Sequence, residues 1–165
     1  MWGPFLPEEH RHRWPELRKV VLPMEVLELN SGRDYLFAGV RPLLAHLRAL
    51  DVRTALASNC RQTYLDAHRF GQGLGALTDA QFCLDSAGGV DKAGMLRLAV
   101  EAFAAQRPVM VGDREPDLEA ARQVGMPFVW RRNDRCDIGG ESDAVWNGLP
   151  AQLCELLLLA PPSGE

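Results

Sequence analysis

The stretch from Val109 to Val129 constrains the fold of this chain more than any other part of the sequence. An apolar run ends at Gly112-Asp113, and a second aspartate, Asp117, follows four residues later. A helical pattern then continues to a glycine that precedes the next apolar run. This order predicts a strand, an acidic loop, a helix and a second strand. It places two carboxylates at the carboxyl end of a buried strand, where open α/β sheets hold their ligands.

Apolar runs alternate with helical patterns along the rest of the chain. The sequence predicts strands at 52–57, 80–84, 108–112 and 127–130, a polar loop at 131–143, and helices at 40–50, 61–70, 92–105, 117–124 and 149–159. This alternation is typical of an α/β domain in which a mostly parallel sheet carries helices on both faces, a Rossmann-like architecture. The length of 165 residues fits one such domain.

Charge and composition argue against several classes of protein. The net charge of −4 gives no electrostatic support for nucleic-acid binding. No apolar run reaches the ~20 residues that a membrane helix needs, and the N-terminus carries no apolar signal core. The four cysteines form no Cys-x-x-Cys pair, which metal-finger and thioredoxin-type sites require. We therefore expect a cytoplasmic protein that binds neither nucleic acid nor membrane.

Residues 15–29 allow two interpretations. Pro15 suits the first position of a helix, and apolar residues follow it at helical spacing. Those apolar residues are Leu17, Val20, Val21, Met24 and Leu27. Alternatively, Lys19 to Leu22 forms a short strand that ends at Pro23, because proline gives a central strand no hydrogen-bond donor. The spacing favours the helix over the strand.

Polar residues follow the predicted strands or begin a helix at three places. These places hold Ser58 and Asn59, Lys92, and the pair Asp113 and Asp117. All strands of a parallel sheet end on one edge, so these groups can converge there. Together they offer hydroxyl and backbone donors, a cation and two carboxylates, which suit a phosphoryl group with a divalent cation such as Mg²⁺.

On these motifs the chain resembles the haloacid dehalogenase (HAD) superfamily, mostly Mg²⁺-dependent phosphatases, and most closely its phosphoglycolate-phosphatase-like branch. The resemblance runs from about Leu36 to Leu149. It implies a HAD-like core at 36–160, without a complete cap, preceded by an N-terminal segment at 1–35 and followed by a tail at 161–165. The segment at 1–35 would be either a cap remnant or a degenerate first strand.

Three of the four family motifs can be assigned. Leu56-Ala57-Ser58-Asn59 is similar to the second motif, and the resemblance implies phosphate binding by Ser58, Asn59 and Lys92. Asp91-Lys92-Ala93 is similar to the third motif. Gly112-Asp113 through Asp117 is similar to the fourth, Gly-Asp-x-x-x-Asp. The resemblance gives Lys92, Asp113 and Asp117 catalytic roles, and it makes Asp113 and Asp117 the residues that hold Mg²⁺ or its waters.

The first family motif, Asp-x-Asp-x-Thr, is missing. In the family its first aspartate attacks phosphorus and its second serves as general acid and base, yet the only aspartates before Ser58 are Asp34 and Asp51. Either a decayed motif follows a strand at Lys19 to Leu22, or the chain lacks the first strand and 15–29 is a cap helix. In the second case the strands before Ser58 and Asp113 must pair directly, accept the N-terminal segment or receive a strand from a partner, because unpaired edges recruit other chains.

The resulting functional expectation is a HAD-like phosphatase homologue in which phosphate-monoester hydrolysis is lost or strongly impaired. The alternative is a non-catalytic module that binds a phosphorylated small molecule or a protein. An active phosphatase that uses Glu25, Glu28 or Asp34 is a third interpretation. The apolar segment at 149–159 predicts a terminal helix that either packs on the sheet or forms a homodimer.

Overall fold

Five short parallel strands form two groups in the computed structural model, which describes residues 6–158. The strands are β1 (Ala55–Ser58), β2 (Ala80–Cys83), β3 (Met110–Gly112), β4 (Phe128–Arg131) and β5 (Ala144–Trp146). β1 pairs with β2, and β4 lies between β3 and β5. The predicted tail at 161–165 lies outside the described residues.

Helices connect and cover the strands. They are α1 (Trp14–Leu29), α2 (Val40–Ala49), α3 (Gln62–Asp66), α4 (Leu74–Leu77), α5 (Lys92–Phe103), α6 (Glu115–Gln123) and α7 (Pro150–Leu156), with a 3-10 helix at Glu8–Arg13 and a π-helical turn at Ala67–Gly71. No helix within residues 6–158 is both long enough and apolar enough to cross a bilayer.

Both faces of the β3-β4-β5 sheet are buried under helices. Phe128 and Trp130 of β4 point into a cluster with α5 and α6, whereas Val129 points into a second cluster with α2 and α7. This arrangement follows from the alternation of side chains along a strand, and apolar residues on both faces mark a covered parallel strand. The predicted mostly parallel sheet with helices on both faces is therefore confirmed. The helix α7 packs on this sheet through Leu153 and Cys154.

The strands β1 and β3 do not pair with each other. The sheet that contains β1 has two strands, and the sheet that contains β3 has three. Ala57 of β1 and Met110 of β3 nevertheless border the same apolar cluster beneath α5 and α6. The alternative in which β1 and β3 pair directly is therefore not observed within residues 6–158.

Residues 15–29 are helical, as the apolar spacing predicts, and the alternative strand at Lys19 to Leu22 is wrong. The helix α1 includes Pro23 and begins with proline in its first turn. The buried Gln72, which follows the π-helical turn, contacts the end of α1. The side-chain amide of Gln72 donates to the carbonyls of Leu29 (2.7 Å) and Arg33 (2.9 Å). This helix therefore does not supply a strand between β1 and β3.

Several element boundaries differ from the predictions. β1 begins at Ala55 rather than at residue 52, and α6 begins at Glu115 rather than at Asp117. Asp117 belongs to the helix because its carboxylate accepts the backbone N–H of Arg114, which is the acidic half of a capping box. β5 follows the polar loop and was not predicted, since three residues are too few for a period to be recognised.

Asp143 gives the fold a testable dependence on pH. Its carboxylate accepts hydrogen bonds from the backbone N–H of Phe128 (2.7 Å) and from Arg122 (2.8 Å), and these hold the pKa of Asp143 below its ordinary value of 3.8. Because the pKa of Asp143 is lower in the folded chain than in the unfolded chain, this carboxylate stabilises the fold at pH values above the ordinary pKa of 3.8. The stabilisation is lost as the pH falls through the pKa of the folded chain.

We expect Asp143→Asn to be less stable than the parent chain in urea at pH 7, with the difference shrinking as the pH falls below about 4. The exposed Asp134, in the same loop, provides the control as Asp134→Asn. A difference between Asp143→Asn and the parent that stays constant from pH 7 to pH 2.5 would contradict the assignment.

Candidate functional site

Asp117 lies at the third position of α6 and is buried. One carboxylate oxygen accepts the backbone N–H groups of Asp113 (3.1 Å) and Arg114 (3.2 Å). Pro116 and the acidic residues of the first turn suit a helix start, because proline needs no donor there and carboxylates complement the helix dipole. Asp117 thus fixes the turn between β3 and α6.

Lys92 begins α5 and forms an ion pair with the other carboxylate oxygen of Asp117. The side chains of Lys92 and Asp117 are 15% and 8% exposed. Asp91 caps the same helix by accepting the backbone N–H of Gly94 (2.8 Å). The capped start of α5 therefore aims the ammonium group of Lys92 at the first turn of α6.

Gly112 is required where β3 ends. A methyl group at this position would collide with the Cβ of Asp117 and would lie 2.8 Å from its carboxylate oxygen. The glycine of the Gly-Asp pair therefore allows the close approach of α6 to β3, independently of any ligand.

Asp113 differs from Asp117 because its carboxylate is 45% exposed, with Arg114 as a distant ion-pair partner at 3.8 Å. Its backbone carbonyl accepts hydrogen bonds from the side chains of Asn133 (2.7 Å) and Cys136 (3.3 Å). Neither residue was predicted to belong to the site. Asn133 follows β4, so its position after a parallel strand was the signal that could have identified it.

The end of β1 faces the same region. Asn59 and Lys92 line one small cavity of about 150 Å³, whose other walls come from Asp91, Ala93, Pro116, Glu119, Ala120 and Gln123. Ser58 is the last residue of β1 and is partly buried. A wider depression on the outer side of α6 holds none of the predicted site residues.

Cys60 does not provide a reactive thiolate next to this cavity. Burial raises the pKa of the Cys60 thiol, and a hydrogen bond with Ser58 offsets only part of that effect. A raised pKa leaves the thiol protonated near neutral pH, and the thiolate is the nucleophilic form.

Two acidic residues of the N-terminal segment, Glu28 and Asp34, are engaged away from Lys92. Glu28 forms an ion pair with Arg33 (3.0 Å) and a hydrogen bond with Tyr35, and Asp34 forms a bidentate pair with Arg41 (2.8 and 3.1 Å). Among the described residues, the carboxylate that contacts Lys92 is that of Asp117.

The two aspartates differ in how well they suit a divalent cation. No group of three or more His, Cys, Asp or Glu side chains within residues 6–158 is arranged to hold a metal ion. Mg²⁺ binds through one or two carboxylates together with water and phosphate oxygens. Asp113 presents an accessible carboxylate of this kind, whereas both oxygens of Asp117 are engaged by Lys92 and by backbone N–H groups.

Comparisons with known proteins agree with this architecture. The sequence model of the haloacid dehalogenase-like hydrolases matches residues 5–125. No curated protein matches the chain. A hydrolase of the haloacid dehalogenase-like family from Streptococcus pneumoniae superposes with a TM-score of 0.71, at 14% identity, over 92% of this chain and 72% of its own.

Two further solved structures share the fold. A HAD phosphatase from Thermococcus onnurineus matches 76% of this chain with a TM-score of 0.67 and 18% identity, and CbbY from Rhodobacter sphaeroides, in complex with phosphate, matches 87% with a TM-score of 0.62 and 22% identity. The chain spans 60% and 64% of these two proteins, less than two thirds of either. With the family match over residues 5–125, the chain belongs to the haloacid dehalogenase-like hydrolases.

Proposed function

We propose that this chain is a homologue of the HAD phosphatases that keeps the phosphate-binding edge of the sheet and has lost, or strongly weakened, phosphate-monoester hydrolysis. The observation that carries the proposal is the ion pair of Lys92 with Asp117 beside Asn59, at the carboxyl ends of β1 and β3. The family's attacking aspartate has no counterpart in the sequence before Ser58, and Glu28 and Asp34 form ion pairs away from Lys92.

Each site residue has a role in this proposal. Ser58 and Asn59 donate hydrogen bonds to phosphoryl oxygens, and Lys92 offsets their charge. Asp113 holds Mg²⁺, and Mg²⁺ supplies positive charge at the phosphoryl group when bound. Asp117 serves as a positioning residue that orients Lys92 and the turn before α6.

Local charge makes phosphate binding depend on the cation. The ammonium group of Lys92 is already paired with the carboxylate of Asp117, and the guanidinium of Arg114 lies 3.8 Å from the carboxylate of Asp113, so without Mg²⁺ the site offers a phosphate dianion little uncompensated positive charge. A bound Mg²⁺ adds two positive charges at the site. We therefore expect orthophosphate to bind in the presence of Mg²⁺ and at least ten-fold more weakly without it.

A non-catalytic binding module is the second candidate function. The cavity shared by Asn59 and Lys92 favours it, because these polar side chains suit a phosphorylated small molecule and no counterpart of the family's attacking aspartate is among the lining residues. The two candidates differ in whether any turnover remains.

The test measures turnover and binding separately. With p-nitrophenyl phosphate and Mg²⁺ we expect no release of phosphate above the buffer blank. Turnover that disappears in Asp113→Ala would overturn the loss of catalysis. Calorimetry with orthophosphate and Mg²⁺ should then give binding that Lys92→Ala abolishes. Lys19→Ala, at an exposed lysine of α1, is the control and should bind as the parent does. No binding by the parent would overturn the proposed ligand.

The remaining parts of the proposal concern organisation and location. We propose that 1–35 is a cap remnant; α1 supports this, because Val20, Met24 and Leu27 lie on one face of it and are 61–73% exposed. A location in the cytoplasm is supported by the lack of disulfide bonds among Cys60, Cys83, Cys136 and Cys154 within residues 6–158, since oxidising compartments favour disulfides.

A further inference from the structure

Arg131 is the last residue of β4, and its guanidinium group is bordered by the chain on two sides. The guanidinium carbon lies 4.4 Å from the centre of the Phe37 ring, close enough for the cation to be attracted to the face of the ring. One nitrogen, Nη1, donates to the carbonyl of Arg132 (2.7 Å). A Cβ atom placed on Gly148 would lie 3.5 Å from Nη2. The guanidinium group therefore lies between Phe37 and the loop that joins β5 to α7.

The charge of Arg131 has no counter-ion within residues 6–158. The ion pairs of this part of the chain join other basic side chains to carboxylates, including Lys92 and Arg114 of the candidate site. Arg131 is partly buried, and of its five N–H donors one is used on a carbonyl. Partial burial of an unpaired cation costs free energy, and a bound anion offsets that cost. Arg131 is therefore suited to bind an anion.

Arg131 borders the candidate site because β4 lies beside β3. In the register of these parallel strands Gly112 is opposite Trp130. The next residues, Asp113 and Arg131, therefore follow neighbouring strands that lie about 5 Å apart. Two residues beyond Arg131, the side chain of Asn133 donates to the carbonyl of Asp113 (2.7 Å). The segment that begins at Arg131 therefore runs along Asp113.

Lys92 and Arg131 lie toward opposite faces of the sheet at this edge. Lys92 begins α5, which covers the face into which Trp130 points. Arg131 is the next residue of the strand and takes the other face, which α2 and α7 cover. Phe37 and Gly148 precede α2 and α7, in agreement with this placement. The two cations therefore flank the carboxyl edge, and a ligand of suitable length that crosses this edge contacts both.

Local charge also favours an anionic ligand at this place. Residues 131–135 contain three arginines and one aspartate, in a chain whose net charge is −4. Positive charge that is concentrated at one edge of an acidic protein attracts anions to that edge.

We propose that Arg131, stacked on Phe37, binds a second anionic group of the phosphorylated ligand. The proposal rests on the function proposed above, and it narrows the ligand to a small molecule that carries a carboxylate or a second phosphate besides its phosphoryl group. The planar guanidinium fork matches either group through two parallel hydrogen bonds. Phe37 holds the fork in place before the ligand arrives, which lowers the entropy cost of binding.

Calorimetry with pairs of phosphonates in the presence of Mg²⁺ tests the proposal. 3-Phosphonopropionate carries a carboxylate that propylphosphonate lacks, and longer homologues of both extend the reach of the second group. We expect the best of these carboxylates to bind at least ten-fold more tightly than its alkyl partner, about the effect of one charge-assisted hydrogen bond. A gain of that size with propane-1,3-bisphosphonate instead would assign the second group to a phosphate.

Variants locate the residue that binds the second group. Arg131→Gln should reduce the gain to less than two-fold, whereas Arg107→Gln should retain it. Arg107 is exposed and precedes β3 at the opposite edge of the sheet, so its replacement makes the same change in net charge. If Arg131→Gln does not fold, Arg131→Lys replaces it; this variant keeps the charge without the fork and should lose at least three-fold of the gain.

The outcomes separate this inference from the proposed function. Equal affinities within every pair of phosphonates, or a gain that persists in Arg131→Gln, would overturn the inference and leave the phosphate site standing. Absence of binding by orthophosphate and by every phosphonate would overturn the proposed function and this inference together.

Discussion

Replacing Asp117 by alanine is expected to lower the free energy of unfolding by about 3–5 kcal/mol, the usual cost of removing one member of a buried ion pair. The truncation leaves the ammonium group of Lys92 without its carboxylate at a site where that side chain is 15% exposed. It also leaves the backbone N–H groups of Asp113 and Arg114 without their acceptor. Urea unfolding at pH 7 measures the change.

The matched control is Asp113→Ala, in the same loop. The Asp113 carboxylate is 45% exposed and its ion pair is long, so we expect a change within about 0.5 kcal/mol. Asp117→Asn keeps an oxygen for the two N–H groups and loses the charge, so it should fall between the other two variants. Equal stabilities of Asp117→Ala and Asp113→Ala would contradict the structural role of Asp117.

This contrast bears on how the motif is interpreted. Gly112 and Asp117 are required by the approach of α6 to β3, whether or not a ligand is bound. The carboxylate of Asp113 makes no comparable contact. This exposed carboxylate is therefore the part of the motif that packing does not explain. Function is therefore better tested at Asp113 and Lys92 than inferred from the presence of the whole motif.

The sequence predicted those features that local pattern determines. Pro15 and the apolar spacing indicate α1, and the apolar runs before Ser58 and Asp113 indicate β1 and β3. The approach of Lys92 to Asp117 follows from the rule that parallel strands end on one edge. The positions of the motifs relative to the predicted strands were therefore enough to predict that Lys92 and Asp117 lie close together.

Other features depend on tertiary contacts that no local pattern records. Asn133 and Cys136 reach the carbonyl of Asp113 from a polar loop without periodicity. The buried Gln72 holds the loop after α1 through bonds to residues about forty positions away. The separation of β1 from β3 was open in the sequence, because an apolar run does not specify which strand lies beside it.

Phe128→Ala is expected to lower the free energy of unfolding by about 3–5 kcal/mol, because it leaves a large cavity in a well-packed core. The Phe128 side chain is fully buried in β4, between α5 and α6 on one side and the strand backbone on the other. The same strand holds its register through the bond from the Phe128 N–H to Asp143.

Val111→Ala is the comparison, on the neighbouring strand. Val111 is partly exposed, and within residues 6–158 its strand β3 pairs with β4 on one side and with no strand on the other, so we expect a loss of about 1 kcal/mol. Urea denaturation of both variants measures the two values. A strand covered on both edges would give Val111 a penalty near that of other fully buried aliphatic residues, about 2 kcal/mol or more. A loss of that size for Val111→Ala would mean that β3 is an interior strand. The difference in unfolding free energy between the two variants therefore tests whether the side of β3 opposite β4 is covered.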